Sequence, residues 1–102
     1  MLELIEKHRT QLNDLCLKYG VLRLEIFGSA TRKDFNPSLS DLDFLVEFKD
    51  FNLENAADRY LGLLIDLEDL FARKIDLVTY SSIRNPFFKQ VVDQTRVRLY
   101  AA

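Results

Sequence analysis

The sequence predicts an α+β fold, a mixed sheet of three to four strands packed by helices. Three short segments, Val21–Phe27, Asp41–Phe48 and Lys74–Tyr80, alternate apolar and polar residues as half-buried strands do. Between and around them, Leu2–Tyr19, Leu53–Arg73 and a segment opened by Asn85-Pro86 carry apolar residues at three- and four-residue steps, the helical period. A chain of 102 residues, 48% hydrophobic with 3 Gly and 2 Pro, suits one ordered domain, residues 1–102, with a modest core.

The elements follow in order. In the first helix Ile5, His8, Leu12, Leu15, Cys16 and Tyr19 form the apolar stripe, and Gly20 can take the left-handed conformation that stops it. His8, the single histidine, borders that stripe with no second ligand or base near it in sequence, so it reads as a boundary or packing residue. In Val21–Phe27, Leu22, Leu24 and Ile26 share one face, and Arg23, Glu25 and Phe27 the other. Gly28 and Ser29 break the strand. Ser29 can cap a short helix through Ala30, Thr31, Arg32 and Lys33, whose first N–H groups would attract an anion such as phosphate. Asn36, Pro37, Ser38 and Ser40 mark a turn-rich loop.

The second strand sets Leu42, Phe44, Val46 and Phe48 against Asp41, Asp43, Leu45 and Glu47. Asp50 or Asn52 caps a long helix, Leu53 to about Arg73, with Ala56, Ala57, Tyr60, Leu64, Leu67 and Leu70 or Phe71 facing inward. Asp66, Glu68 and Asp69 read as its solvated face. In the third strand Ile75, Leu77 and Thr79 oppose Asp76, Val78 and Tyr80. Asn85 caps a last helix with Pro86 in its first turn, carrying Phe87, Phe88, Val91 and Val92. Arg96 to Tyr100 forms a closing strand or a tail.

Bulk properties exclude several classes. No apolar run approaches the ~20 residues of a membrane span, and Glu3 and Glu6 sit where a signal peptide would be basic and then apolar, so a cytoplasmic protein is expected. A net charge of -2 gives no broad basic footprint for direct nucleic-acid binding. Cys16 stands alone, which excludes an intrachain disulfide and suits a buried small apolar residue.

The chemistry concentrates in three acids and a turn. Asp41 and Asp43, two apart in a strand, project to one face roughly 7 Å from each other. At an effective dielectric near 20 they repel by about 2 kcal/mol, which a divalent cation would turn into attraction. Asp76 is a lone acid in an apolar strand; buried unpaired it would cost several kcal/mol, so it reaches the surface or meets a cation. An anion-receiving turn and three carboxylates are the parts of phosphoryl or nucleotidyl transfer, where Mg²⁺ takes oxygen ligands from carboxylates and substrate phosphates. The plain alternative is a pair of strand-start acids on a wet surface.

Gly28-Ser29, then eleven residues, then Asp41-Leu42-Asp43, and later Asp76, resembles the nucleotidyltransferase fold of the polymerase-beta superfamily, in its minimal (MNT) branch. The likeness extends over most of the chain, to the closing Leu99-Tyr100. It implies that Gly28 and Ser29 hold the nucleoside triphosphate, that Arg32 contacts phosphate, and that Asp41 and Asp43 bind two Mg²⁺ ions. Asp76 would be the third acid, a metal ligand that helps activate the acceptor hydroxyl. The spacer is one residue longer than the commonest in the family, and Thr31 and Lys33 stand where Ala and Gly are common. Small members of this branch are antitoxins of a HEPN ribonuclease toxin. The resemblance therefore implies transfer of AMP from ATP to a tyrosine of such a toxin, with the two proteins forming a hetero-oligomer. Two alternatives stand beside it: a catalytically silent antitoxin that neutralises by binding alone, and transfer onto a small molecule, for which larger relatives carry a substrate domain not seen here.

Overall fold

The computed structural model describes residues 2–28, 41–49 and 55–102. Four strands, β1 (Val21–Phe27), β2 (Leu42–Phe48), β3 (Ile75–Thr79) and β4 (Val97–Ala101), form one mixed sheet in the order β3-β2-β1-β4. β1 is antiparallel to β2 and β4, whereas β2 and β3 are parallel. Parallel neighbours require a crossover, and α3 (Ala56–Phe71) lies on that connection. The segment from Arg96 therefore ends in a true edge strand, with Leu99 buried.

One face of the sheet carries the main core. Leu24, Ile26, Leu42, Phe44, Val46, Ile75 and Leu77 pack there with Ile5, Leu12 and Cys16 from the N-terminal helices and Leu63, Leu67 and Phe71 from α3. The innermost stripe of α3 thus includes Leu63, which lies outside the stripe expected from the periodicity, while Ala57 is exposed. α3 ends at Phe71 on a left-handed Ala72, φ 52°. Asp50, Asn52 and Leu53, expected at its start, lie outside the described residues; among those described, Asn55 occupies the cap position.

Two local departures have identifiable causes. The N-terminal helix is broken into α1 (Leu2–Lys7) and α2 (Arg9–Lys18) at His8. There His8 Nδ1 donates to the Leu4 carbonyl at 3.0 Å while its backbone N–H turns to Ile5 O, so the ring substitutes for the helical ladder. The imidazole packs on Phe71, 5.2 Å between centroids, which is the packing role expected of it. In β1 the register with β2 shifts between Val21 and Arg23, so Val21 is buried and Leu22, expected on the core face, is 38% exposed.

The opposite face is thinner. Phe27 and Leu45 meet Val92 of α4 (Pro86–Thr95), with Val78, Tyr80 and Ile83 at the margin. Asn85 caps α4 as expected, accepting from the N–H groups of Phe87 at 2.8 Å and Phe88 at 3.3 Å. Of the helix's four apolar residues Val92 alone is buried; Phe87 is 79% exposed. No helix among the described residues is long and apolar enough to cross a membrane.

Candidate active site

The acids project from the thin face at the end of the sheet where β2 begins. Asp43 lies opposite Phe27 on β1 and, in the parallel register, opposite Asp76 on β3. Asp43 is half-buried and Asp76 exposed. Set side by side by the register, the two carboxyls repel when both are ionised. Burial first, then the hydrogen bond and charge of Asp76, then the charge of Asp41, push the Asp43 carboxyl from its ordinary 3.8 up to about 6. Tyr60 of α3 stands nearby, its hydroxyl donating to the Leu77 carbonyl. Burial and then the Asp76 charge raise its phenol pKa.

Gly28 makes room for this arrangement. It sits at φ +73°, and a Cβ on it would lie 2.6 Å from Asp43 Oδ2. Its N–H donates to Thr95 Oγ1 at 3.1 Å, and the Thr95 hydroxyl donates in turn to Val91 O at 2.8 Å. The end of β1 is thereby latched to the last turn of α4. Ser29 and Arg32, with Lys33, lie outside the described residues. Asp41 precedes β2 and is exposed; it adds to the repulsion felt by Asp43. Among the described residues no three acidic, His or Cys side chains converge closely enough to hold one metal ion.

The donor set suits Mg²⁺ all the same. Two carboxylates face each other, one with its oxygen in a notch that only glycine leaves open, and the ligands are oxygen alone. Among the described residues no Lys or Arg lies within ion-pair distance of either acid. A cavity of about 360 Å³ opens over the pair, bounded by Phe27 and Phe88 toward β1 and α4 and by Tyr60 and Leu64 toward α3. From the sequence Tyr60 belongs to the core stripe and Phe88 to the last helix, and Thr95 has no distinguishing feature. Their place at the site depends on how α3 and α4 cross the sheet, for which local periodicity carries no signal.

The model of the nucleotidyltransferase domain family matches residues 6–99. The chain belongs to this family. A relative from Methanocaldococcus jannaschii, provisionally named a protein adenylyltransferase, is 36% identical over 92 residues, covering 90% of this chain and 87% of its own length. Among solved structures, one described provisionally as a minimal nucleotidyltransferase superposes with a TM-score of 0.66 at 29% identity, over 94% of this chain and 93% of that one. An MNT antitoxin bound to a tri-AMPylated Shewanella oneidensis HEPN toxin gives a TM-score of 0.63 at 18% identity, over 95% of this chain and 72% of that one, a likeness of fold. The minimal nucleotidyltransferase fold implied by the family resemblance of the Gly-Ser and Asp-Leu-Asp motif is thus the fold observed.

Proposed function

We propose that this minimal nucleotidyltransferase is an antitoxin that transfers AMP from ATP to a hydroxyl, a tyrosine's in the reading we favour, on a cognate HEPN ribonuclease toxin. The observation that carries the proposal is the Asp43–Asp76 pair in register across β2 and β3, with Gly28 cleared against it. In this reading Asp43 and Asp76, with Asp41 beside them, hold Mg²⁺, and Gly28, Ser29 and Arg32 receive the triphosphate. Bound Mg²⁺ would supply Lewis-acid neutralisation of the phosphate charge. The acceptor oxygen forms a bond to the α-phosphorus, the bond from that phosphorus to the β-bridging oxygen breaks, and pyrophosphate leaves. The hydroxyl proton passes to a carboxylate, for which Asp76, the more exposed of the pair, is the candidate. ATP and the partner would be met in the cytoplasm.

Incubation with the toxin, Mg²⁺ and ATP labelled at the α- or the γ-phosphate tests this. Label from the α position on the toxin, lost in an Asp41→Asn, Asp43→Asn double variant, is the expected result; γ label means phosphoryl transfer instead. A second reading, neutralisation by binding alone, draws on Phe87 and Val91, exposed on α4 beside the site. Toxin neutralised by native protein that never labels it would favour that reading.

A further inference from the structure

The cavity over the acids has two unlike walls. Toward β3 stand Tyr60 and Leu64 of α3, with the Tyr60 hydroxyl already committed to the Leu77 carbonyl. Toward β1 stand Phe27 and Phe88, in edge-to-face contact with centroids 5.8 Å apart and planes at 75°. That contact and the Asn85 cap hold Phe88 in place, yet the residue remains 37% exposed and outside both buried clusters. A ring that lines the cavity and keeps over a third of its surface exposed offers aromatic surface to whatever fills it.

We propose that Phe88 is the nucleobase-binding residue of this chain, the surface on which the adenine of ATP stacks. The inference rests on the nucleotidyltransferase reading above and deepens it. Two contacts tie Phe88 to the nucleotide rather than to the acceptor. Its helix is latched to the Gly28 turn through Gly28 N–H to Thr95 Oγ1, and its ring leans on Phe27, the residue immediately before that turn. Phosphate turn and aromatic surface therefore belong to one wall, and a nucleotide joins a phosphate to a planar base. The acceptor hydroxyl is left the other wall, where Asp76 lies on the edge strand. Stacking of this kind is tolerant of base identity but favours the larger purine surface.

Calorimetry with Mg²⁺ and a non-hydrolysable ATP analogue, set beside Mg²⁺ and inorganic tripolyphosphate, tests the assignment. Phe88→Leu, which keeps apolar bulk and loses the π surface, should weaken the analogue about tenfold and leave tripolyphosphate unchanged. Phe88→Tyr should restore binding. Leu17→Ala, altering an exposed apolar side chain of α2 outside the cavity, should bind both as the native protein does. Unchanged analogue affinity in Phe88→Leu overturns the proposal, including the case in which only acceptor labelling falls. Equal weakening of both ligands also overturns it, because that marks a structural role. If native protein binds neither ligand, the nucleotidyltransferase reading fails and takes this one with it.

Discussion

Glu25 and Asp43 are acids on the same face of adjoining strands, and the sheet treats them in opposite ways. Glu25, 5% exposed, lies between the guanidinium groups of Arg23 at 3.8 Å and Arg96 at 3.7 Å. Asp43 sits two cross-strand positions away and is less buried, yet it faces another carboxylate and no cation among the described residues. Burial alone would have made Glu25 the more suspicious residue. A buried charge with opposite partners is a structural element, whereas a partly buried charge set against a like charge stores repulsion that only a proton or a cation relieves.

The largest expected effect separates the two residues by activity. A carboxylate holding the metal is worth several kcal/mol in the transition state, so Asp43→Asn or Asp76→Asn should lower nucleotidyl transfer by about two orders of magnitude or more. Glu25→Gln should leave the rate within about twofold once stability is accounted for. Comparable losses in both, measured by initial rates well below the melting temperature, would break the distinction. Next comes Gly28→Ala. Its methyl must displace Asp43 Oδ2, and the left-handed backbone costs about 1–2 kcal/mol besides, so both rate and stability should fall, the rate by about tenfold or more. Native-like kinetics in this variant would mean that the oxygen can sit elsewhere without cost.

Glu25→Gln sharpens the structural half of the comparison. It leaves two arginines around a neutral amide, but Arg23 keeps Glu47 and Arg96 keeps Asp93 as partners, and their side chains are about a third exposed, at 30% and 32%. Solvent screening thus reduces the loss to about 1–2 kcal/mol, roughly 5–10 °C in melting temperature. An unchanged melting curve would show that the pairing of Glu25 with the two arginines contributes nothing net.

How much of this is legible in the sequence follows from how far each contact reaches. Alternation fixes which side of its own strand an acid occupies, so the residue order alone separates Asp43 and Asp76 from the apolar faces. Their facing each other is a matter of register, which the family resemblance implies and the parallel pairing supplies. The Asn85 cap is readable because its partners are two and three residues away. Glu25 is unremarkable in sequence because its second partner, Arg96, comes from the far end of the chain and reaches β1 only once β4 has paired with it. The bulge at Leu22 and the break at His8 are likewise illegible. Each replaces one local hydrogen-bonding pattern by another of similar free energy, and the choice depends on tertiary partners such as Phe71.

The smallest effect, and the most diagnostic, is in the pH dependence of the metal-free protein. An ordinary stabilised carboxylate, such as Asp66, whose pKa the hydrogen bond from Tyr19 depresses, contributes stability that is lost as the pH falls below about 4. Asp43 has the opposite sign. Its folded-state pKa, about 6, lies above the ordinary 3.8, so between those values the folded chain binds more protons than the unfolded one. In EDTA the destabilisation from this pair is therefore fully present above pH 6 and fades as the pH falls toward 4. Asp43→Asn should accordingly stabilise the metal-free protein more at pH 7 than at pH 5, measured by denaturant unfolding at both values. Saturating Mg²⁺ should reverse the order at pH 7, because the cation stabilises the native pair and has one ligand fewer in the variant. A difference between native and variant that ignores both pH and Mg²⁺ would place Asp43 with Glu25, as an acid whose charge the fold has already balanced.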